Sequence, residues 1–89
     1  ADDEKSAYAL GIQYYNGQGV EQNSQMAFLL WLQAAKRGHV DAQYNVGTLY
    51  ESGVGTAQDM NEALNWYGQA AAQGHAGAVQ AVQDLGGSE

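Results

Sequence analysis

Residues 42–74 read AQYNVGTLYESGVGTAQDMNEALNWYGQAAAQG. A Gly-Val-Gly break at 53–55 separates two stretches whose apolar residues recur three and four apart, the spacing of one helix face. Asp59 stands where the second stretch begins, and its carboxylate can accept from the free amides of a first helical turn. Glu62, three residues on, completes the sequence signature of a capping box. Gly74 stands where the stretch ends, at a place where a chain leaving a helix turns through positive φ. The segment reads as two helices joined by a glycine loop.

The same reading recurs upstream. Sliding the chain by 36 positions lays residues 6–41 on 42–77 without a gap, with 12 identities. They are Tyr8, Gly11, Tyr14, Gly17, Gly19, Gln22, Ala27, Gln33, Ala34, Ala35, Gly38 and His39, matched by Tyr44, Gly47, Tyr50, Gly53, Gly55, Gln58, Ala63, Gln69, Ala70, Ala71, Gly74 and His75. Shared composition alone does not keep glycines and tyrosines in one frame, so the chain is an array. A third copy starts at Ala78, with Val82 and Leu85 matching Val46 and Leu49. The expected elements are helices over 4–16, 24–37, 41–52, 60–73 and 76–85. The organisation is one domain: repeat one at 6–41, repeat two at 42–77, a partial third or capping helix at 78–85, and a tail at 86–89.

Small residues sit where helices must approach. Gly11 and Gly47 fall in mid-helix, at about 1 kcal/mol each relative to alanine. That is tolerable if a Trp or Tyr from the second helix packs into the gap. Ala27 with Ala34, and Ala63 with Ala70, form stripes at seven-residue spacing, beside the bulk of Leu30, Trp31, Trp66 and Tyr67. Small facing large is how close-packed helix pairs interlock. Tyr14, Tyr50, Trp66 and Tyr67 are the expected core aromatics.

Totals narrow the function classes. Only Lys5, Lys36 and Arg37 oppose ten carboxylates, leaving a net charge of −7. A nucleic-acid backbone or an anionic membrane surface repels such a chain, whereas a basic segment of another protein suits it. The longest apolar run, Ala27 to Leu32, is too short to span a membrane, so no membrane insertion is expected. There is no cysteine and therefore no thiol chemistry. The sequence begins Ala1-Asp2-Asp3 rather than with Met, the form of a mature end after removal of a secretory leader, or of a segment cut from a longer chain. A periplasmic or secreted location is the expectation.

Ala42 to Tyr50, Gly53-Val54-Gly55, Asp59, Glu62-Ala63, Trp66-Tyr67, Ala70-Ala71 and Gln73-Gly74 resemble a Sel-1-like repeat. That family is a relative of the tetratricopeptide repeat with a longer loop between its helices A and B. The resemblance covers residues 6–85. It is looser in repeat one, where Trp31 stands for the family's usual Tyr and Leu30 for its usual Trp. In repeat two, Gly68 and Gln69 replace the commoner polar or basic residues. The resemblance implies an all-α, right-handed α-solenoid of about five helices, with the A helices lining a concave face. It also implies adaptor work, often in bacterial envelope signalling, secretion or virulence, and in protein quality control among eukaryotic members. Few members are enzymes.

The residues offer little chemistry of their own. His39 and His75 are equivalent atoms of stacked repeats, about 10 Å apart or more, too far to share one ion with bonds of about 2 Å. Each is expected to sit beside a helix C-terminus, whose partial negative charge suits imidazole. Asp2, Asp3 and Glu4 are expected to favour the positive end of the first helix. The Gly-x-Gly loops lack the Lys-Ser/Thr of a phosphate loop. A β-lactamase-like activity has been discussed for cysteine-rich relatives, but Ser6, Ser24 and Ser52 have no Lys three residues on. With no nucleophile–base pair in view, the expectation is a non-enzyme with no cofactor and no metal.

Register carried over from the tetratricopeptide pattern puts Tyr8, Ile12, Tyr15 and Asn16 on the concave side, and Tyr44, Thr48, Glu51 and Ser52 in the second copy. A tyrosine at a groove offers a large contact with a polar tip. Subtracting the two repeats isolates one more feature: Leu29 and Leu32, whose counterparts are Asn65 and Gly68. Three residues apart on helix B, they either close the N-terminal end of the solenoid or pack on residues of the tail, or form an outward apolar patch for a partner or a second copy. The function expected is a protein–protein interaction module, binding a partner segment in the concave groove as a bacterial envelope adaptor. The rival is an immunity or inhibitor protein that sets its acidic surface against a toxic enzyme.

Overall fold

The computed structural model describes the backbone of residues 2–86 and the side chains of residues 5–86. Five α-helices follow one another: α1 (Asp2–Asn16), α2 (Ser24–Lys36), α3 (Val40–Ser52), α4 (Met60–Ala72) and α5 (Ala76–Gly86). No strand occurs among the described residues. Helices adjacent in sequence pack on each other, α1 on α2 through to α4 on α5, as in a stacked array. The molecule measures 43 × 28 × 16 Å, a slab rather than a sphere. Among the described residues, no helix is long and apolar enough to cross a membrane.

The glycine notches are filled as the spacing predicts. Gly11 faces the indole of Trp31, and a Cβ there would overlap the ring. A Cβ on Gly47 would lie 2.6 Å from Cδ1 of Tyr67. The stripes of Ala27, Ala34, Ala63 and Ala70 are fully buried. The core forms two clusters. One gathers Ala7, Phe28, Trp31, Ala34, Ala35, Ala42, Val46 and Leu49, and Trp66 of α4 reaches across to join it. The other holds Ala63, Tyr67, Ala70 and Ala78. Tyr50 is half-buried and packs against both. Tyr14 is also half-buried but joins neither, which sets it apart from the core aromatics expected with it.

Hydrogen bonds explain the repeated loop residues. Gln22 Nε2 donates to the Tyr15 carbonyl and Gln58 Nε2 to the Glu51 carbonyl, each at 2.8 Å. The amides of Asn23 and Asp59 donate to the carbonyls of Tyr14 and Tyr50. Asn23 Oδ1 then accepts from the amide of Met26, and Asp59 Oδ1 from that of Glu62. The capping box expected of Asp59 and Glu62 is therefore only half made, because the Tyr50 carbonyl occupies the Asp59 amide. Gly55 shows why the loop needs glycine. Its φ is +75°, and a Cβ would run into the Ser24 carbonyl at the start of α2.

Both histidines stand beside a helix C-terminus as expected, their amides donating to the Ala34 and Ala70 carbonyls, but their rings are used otherwise. His39 is the N-cap of α3, with Nδ1 accepting from the Ala42 amide at 3.1 Å. His75 does the same for α5 through the Ala78 amide at 3.0 Å. The turns between helices are so short that the residue closing one helix opens the next. The ring serves the free amides ahead rather than the carbonyls behind.

Candidate functional site

The tyrosines singled out in the sequence are held by their neighbours. Tyr8 is half-buried and stacks on His39, with centroids 4.5 Å apart. Its carbonyl accepts from Trp31 Nε1 at 3.0 Å. Tyr15 lies 37% exposed against the face of Trp31, centroids 5.3 Å apart. In repeat two, Tyr44 stacks on His75 at 4.5 Å and leans on Tyr67 at 5.5 Å. The histidines thus have two duties, capping a helix and bracing a tyrosine ring. His75 also places Nε2 3.5 Å from Oδ1 of Asp41.

The other predicted residues divide. Ile12 is half-buried against the first core cluster. Asn16 ends α1 and is exposed. The Thr48 hydroxyl donates to the Asn45 carbonyl and the Ser52 hydroxyl to the Thr48 carbonyl, so both oxygens turn back on their own helix. Glu51 is half-buried, and its Oε1 accepts from the Tyr67 hydroxyl at 2.6 Å. Burial above all, then that hydrogen bond and the Glu51 charge, raise the Tyr67 pKa well above a tyrosine's ordinary value. Tyr50 is raised as well, first by burial and then by Glu62 and Asp59. Leu29 and Leu32 part company: Leu29 is 57% exposed, whereas Leu32 is half-buried against the first cluster. The side chains of Asp2, Asp3 and Glu4 lie outside the described residues.

The structure therefore brings together Tyr8, Tyr15 and Trp31 in repeat one, and Tyr44, Glu51 and Tyr67 in repeat two. The second set opens onto a hollow of about 320 Å³ between α3, α4 and α5, where Gly77, Gln80 and Asp84 supply the far wall. Sequence reading missed α5's share in this place. The signal was present, since Gly77, Gln80 and Ala81 stand where the previous repeat carries Asp41, Tyr44 and Asn45.

Two helical hairpins stacked in one frame, closed by a fifth helix, define a solenoid of the helix–turn–helix repeat class. The family model described as Sel1 repeat matches residues 4–39 and 40–75, two consecutive stretches, and the chain belongs to that family. Repeats of this kind are typically protein–protein interaction modules and generally non-enzymatic scaffolds. Among solved structures, the chain is similar to a Sel1 repeat protein from Oxalobacter formigenes, at 38% identity and a TM-score of 0.91 over 94% of this chain and 35% of that one. It is also similar to a protective antigen of uropathogenic Escherichia coli strains displaying an SLR fold, at 36% identity and a TM-score of 0.89 over 91% of this chain and 17% of that one. Cysteine-rich protein B of Helicobacter pylori shares the fold at 21% identity, with a TM-score of 0.83 over 86% of this chain and 58% of that one. The chain thus spans about a third of the Oxalobacter protein and less than a fifth of the Escherichia coli one. No protein of curated function matches it.

Proposed function

We propose that this chain is a non-enzymatic module that holds an extended or helical segment of another protein along the groove of its A helices, as an adaptor of a bacterial envelope. The observation that carries this reading is the set of braced tyrosines. Tyr8 and Tyr44 stand in equivalent places, each pinned on a histidine, and Tyr15 lies partly exposed against an indole. Rings fixed before binding lose little freedom when a partner covers them. A net charge of −7 favours a partner segment that is basic. Location in the periplasm is part of the proposal.

The test replaces Tyr8 and Tyr44 with Ala together and compares what wild type and variant capture from envelope extracts of the native host. A specific partner recovered by wild type and lost by the variant, with helicity kept, is the expected result. Equal capture by both moves the interface off these residues.

A further inference from the structure

We propose that the hollow between α3, α4 and α5 is a socket for one long basic side chain, Lys or Arg, projecting from a segment bound in the groove. It rests on the groove reading above and gives that groove a point of specificity. The hollow itself marks the place, and the internal repeat shows how it arises. In repeat one, Tyr15 lies on Trp31 at the position equivalent to Glu51. Repeat two puts Glu51 where Tyr15 would be, and α5 puts Gly77 and Ala81 where α3 has Asp41 and Asn45. Four side chains of the shared frame are exchanged, counting Gln80 for Tyr44, and all four become smaller. What opens is about 320 Å³, at the small end of ligand sites, with room for a side chain rather than a large cofactor.

The lining selects the charge of the occupant. Tyr44, half-buried and stacked on His75, stands 5.5 Å from the buried Tyr67 at one side, so the wall there is aromatic and fixed in place. Two carboxylates complete it. Each is already oriented by one bond: Glu51 Oε1 by the Tyr67 hydroxyl and Asp84 Oδ1 by Gln80 Nε2 at 2.9 Å. A carboxylate has about four acceptor sites, so both keep capacity for a further donor. Residues 38–86 hold five carboxylates and no Lys or Arg, and none of the chain's three Lys and Arg residues lines the hollow. A metal ion is a poor fit. Calcium takes about six to eight oxygens, and no group of three or more His, Cys, Asp or Glu gathers among the described residues.

The experiment uses the isotope-labelled full chain, titrated at low salt with N-acetyl-arginine methylamide and, separately, with its uncharged citrulline counterpart. The arginine probe should shift the amides of Glu51, Gly77, Gln80 and Ala81 and saturate in roughly the millimolar range, and the citrulline probe should shift none of them. Glu51→Gln and Asp84→Asn should each weaken the probe by about tenfold, with Glu62→Gln as an unaffected control. Glu51→Tyr, which restores the repeat-one residue, should fill the socket and abolish binding; if that variant does not fold, the Gln variant decides. Shifts spread over the whole acidic surface, equal response to citrulline, or full binding by Glu51→Gln would overturn the socket. Partner capture lost in Tyr8→Ala but kept in Glu51→Tyr would remove the socket and leave the groove standing, whereas a socket that binds arginine with no groove partner would remove the groove alone.

Discussion

Repeat one and repeat two solve the same packing problem with different residues. Each opens a glycine notch in its A helix and drives an aromatic ring of its B helix into it. In repeat one the ring is Trp31, whose indole N–H is satisfied by the Tyr8 carbonyl beside the notch and whose face is covered by Tyr15. In repeat two the ring is Tyr67, whose hydroxyl points away and must find another acceptor. That acceptor is Glu51, in the place of Tyr15. The two exchanges, Trp31 to Tyr67 and Tyr15 to Glu51, are therefore one change. A buried hydroxyl needs a partner, and the partner that satisfies it is a carboxylate in place of a second ring. The fold is common to both repeats, and what one of them has to offer a ligand comes from where it departs from the other.

The largest expected effect comes from closing the shared notch. Gly47→Leu places a side chain where Tyr67 lies and should lower stability by about 3 kcal/mol or more, read from chemical denaturation. Gly11→Leu should do the same against Trp31. A melt like that of wild type would mean that the helices are not held at this distance by the rings. Next comes the exchange itself. Trp31→Tyr alone should cost about 1–2 kcal/mol by shrinking a buried ring and stranding a hydroxyl. Adding Tyr15→Glu should recover part of that loss, a coupling of about 1 kcal/mol. Independent, additive effects would break the comparison.

Smaller effects sharpen it. The paired caps should be worth the same in both repeats, about 1 kcal/mol each for Asn23→Ala and Asp59→Ala. A much larger loss at Asp59 would show that Glu62 contributes more than the geometry gives it. Smallest is an alkaline effect confined to repeat two. The pKa of Tyr67 is raised in the fold, so the folded state holds the phenol proton more tightly than the unfolded chain does. That stability is complete below the unfolded value of about 10 and is lost as pH climbs from there through the raised folded value. Tyr67→Phe should flatten the decline, and an unchanged alkaline slope would place its cause elsewhere.

The sequence carried the fold because its signals are local and repeated. Tyr, Gly and Ala in one 36-residue frame fix helix faces, loops and notches together, and Gly11 and Gly47 meet the rings that their spacing implies. It was less informative wherever one residue had two neighbours to serve. His39 lies three residues past the end of one helix and one before the start of another, and nothing in the string says which end its ring will face. Glu62 matches a capping box, but the amide it would need is taken by the Tyr50 carbonyl, nine residues back. Leu29 and Leu32 share a spacing, yet only one of them is largely exposed, because the edge of a buried stripe falls between them. The hollow was harder still, since its walls come from three helices that meet only by stacking. The one trace it leaves in the sequence is the set of exchanges at Glu51, Gly77, Gln80 and Ala81.

Proton-proton contacts in solution test the notch packing most directly. In a nuclear Overhauser spectrum of the full chain, the α protons of Gly11 should show cross-peaks to the Trp31 indole, and those of Gly47 to the Tyr67 ring, with both glycine signals displaced by ring currents. Glycine α protons at ordinary positions and without those cross-peaks would contradict it.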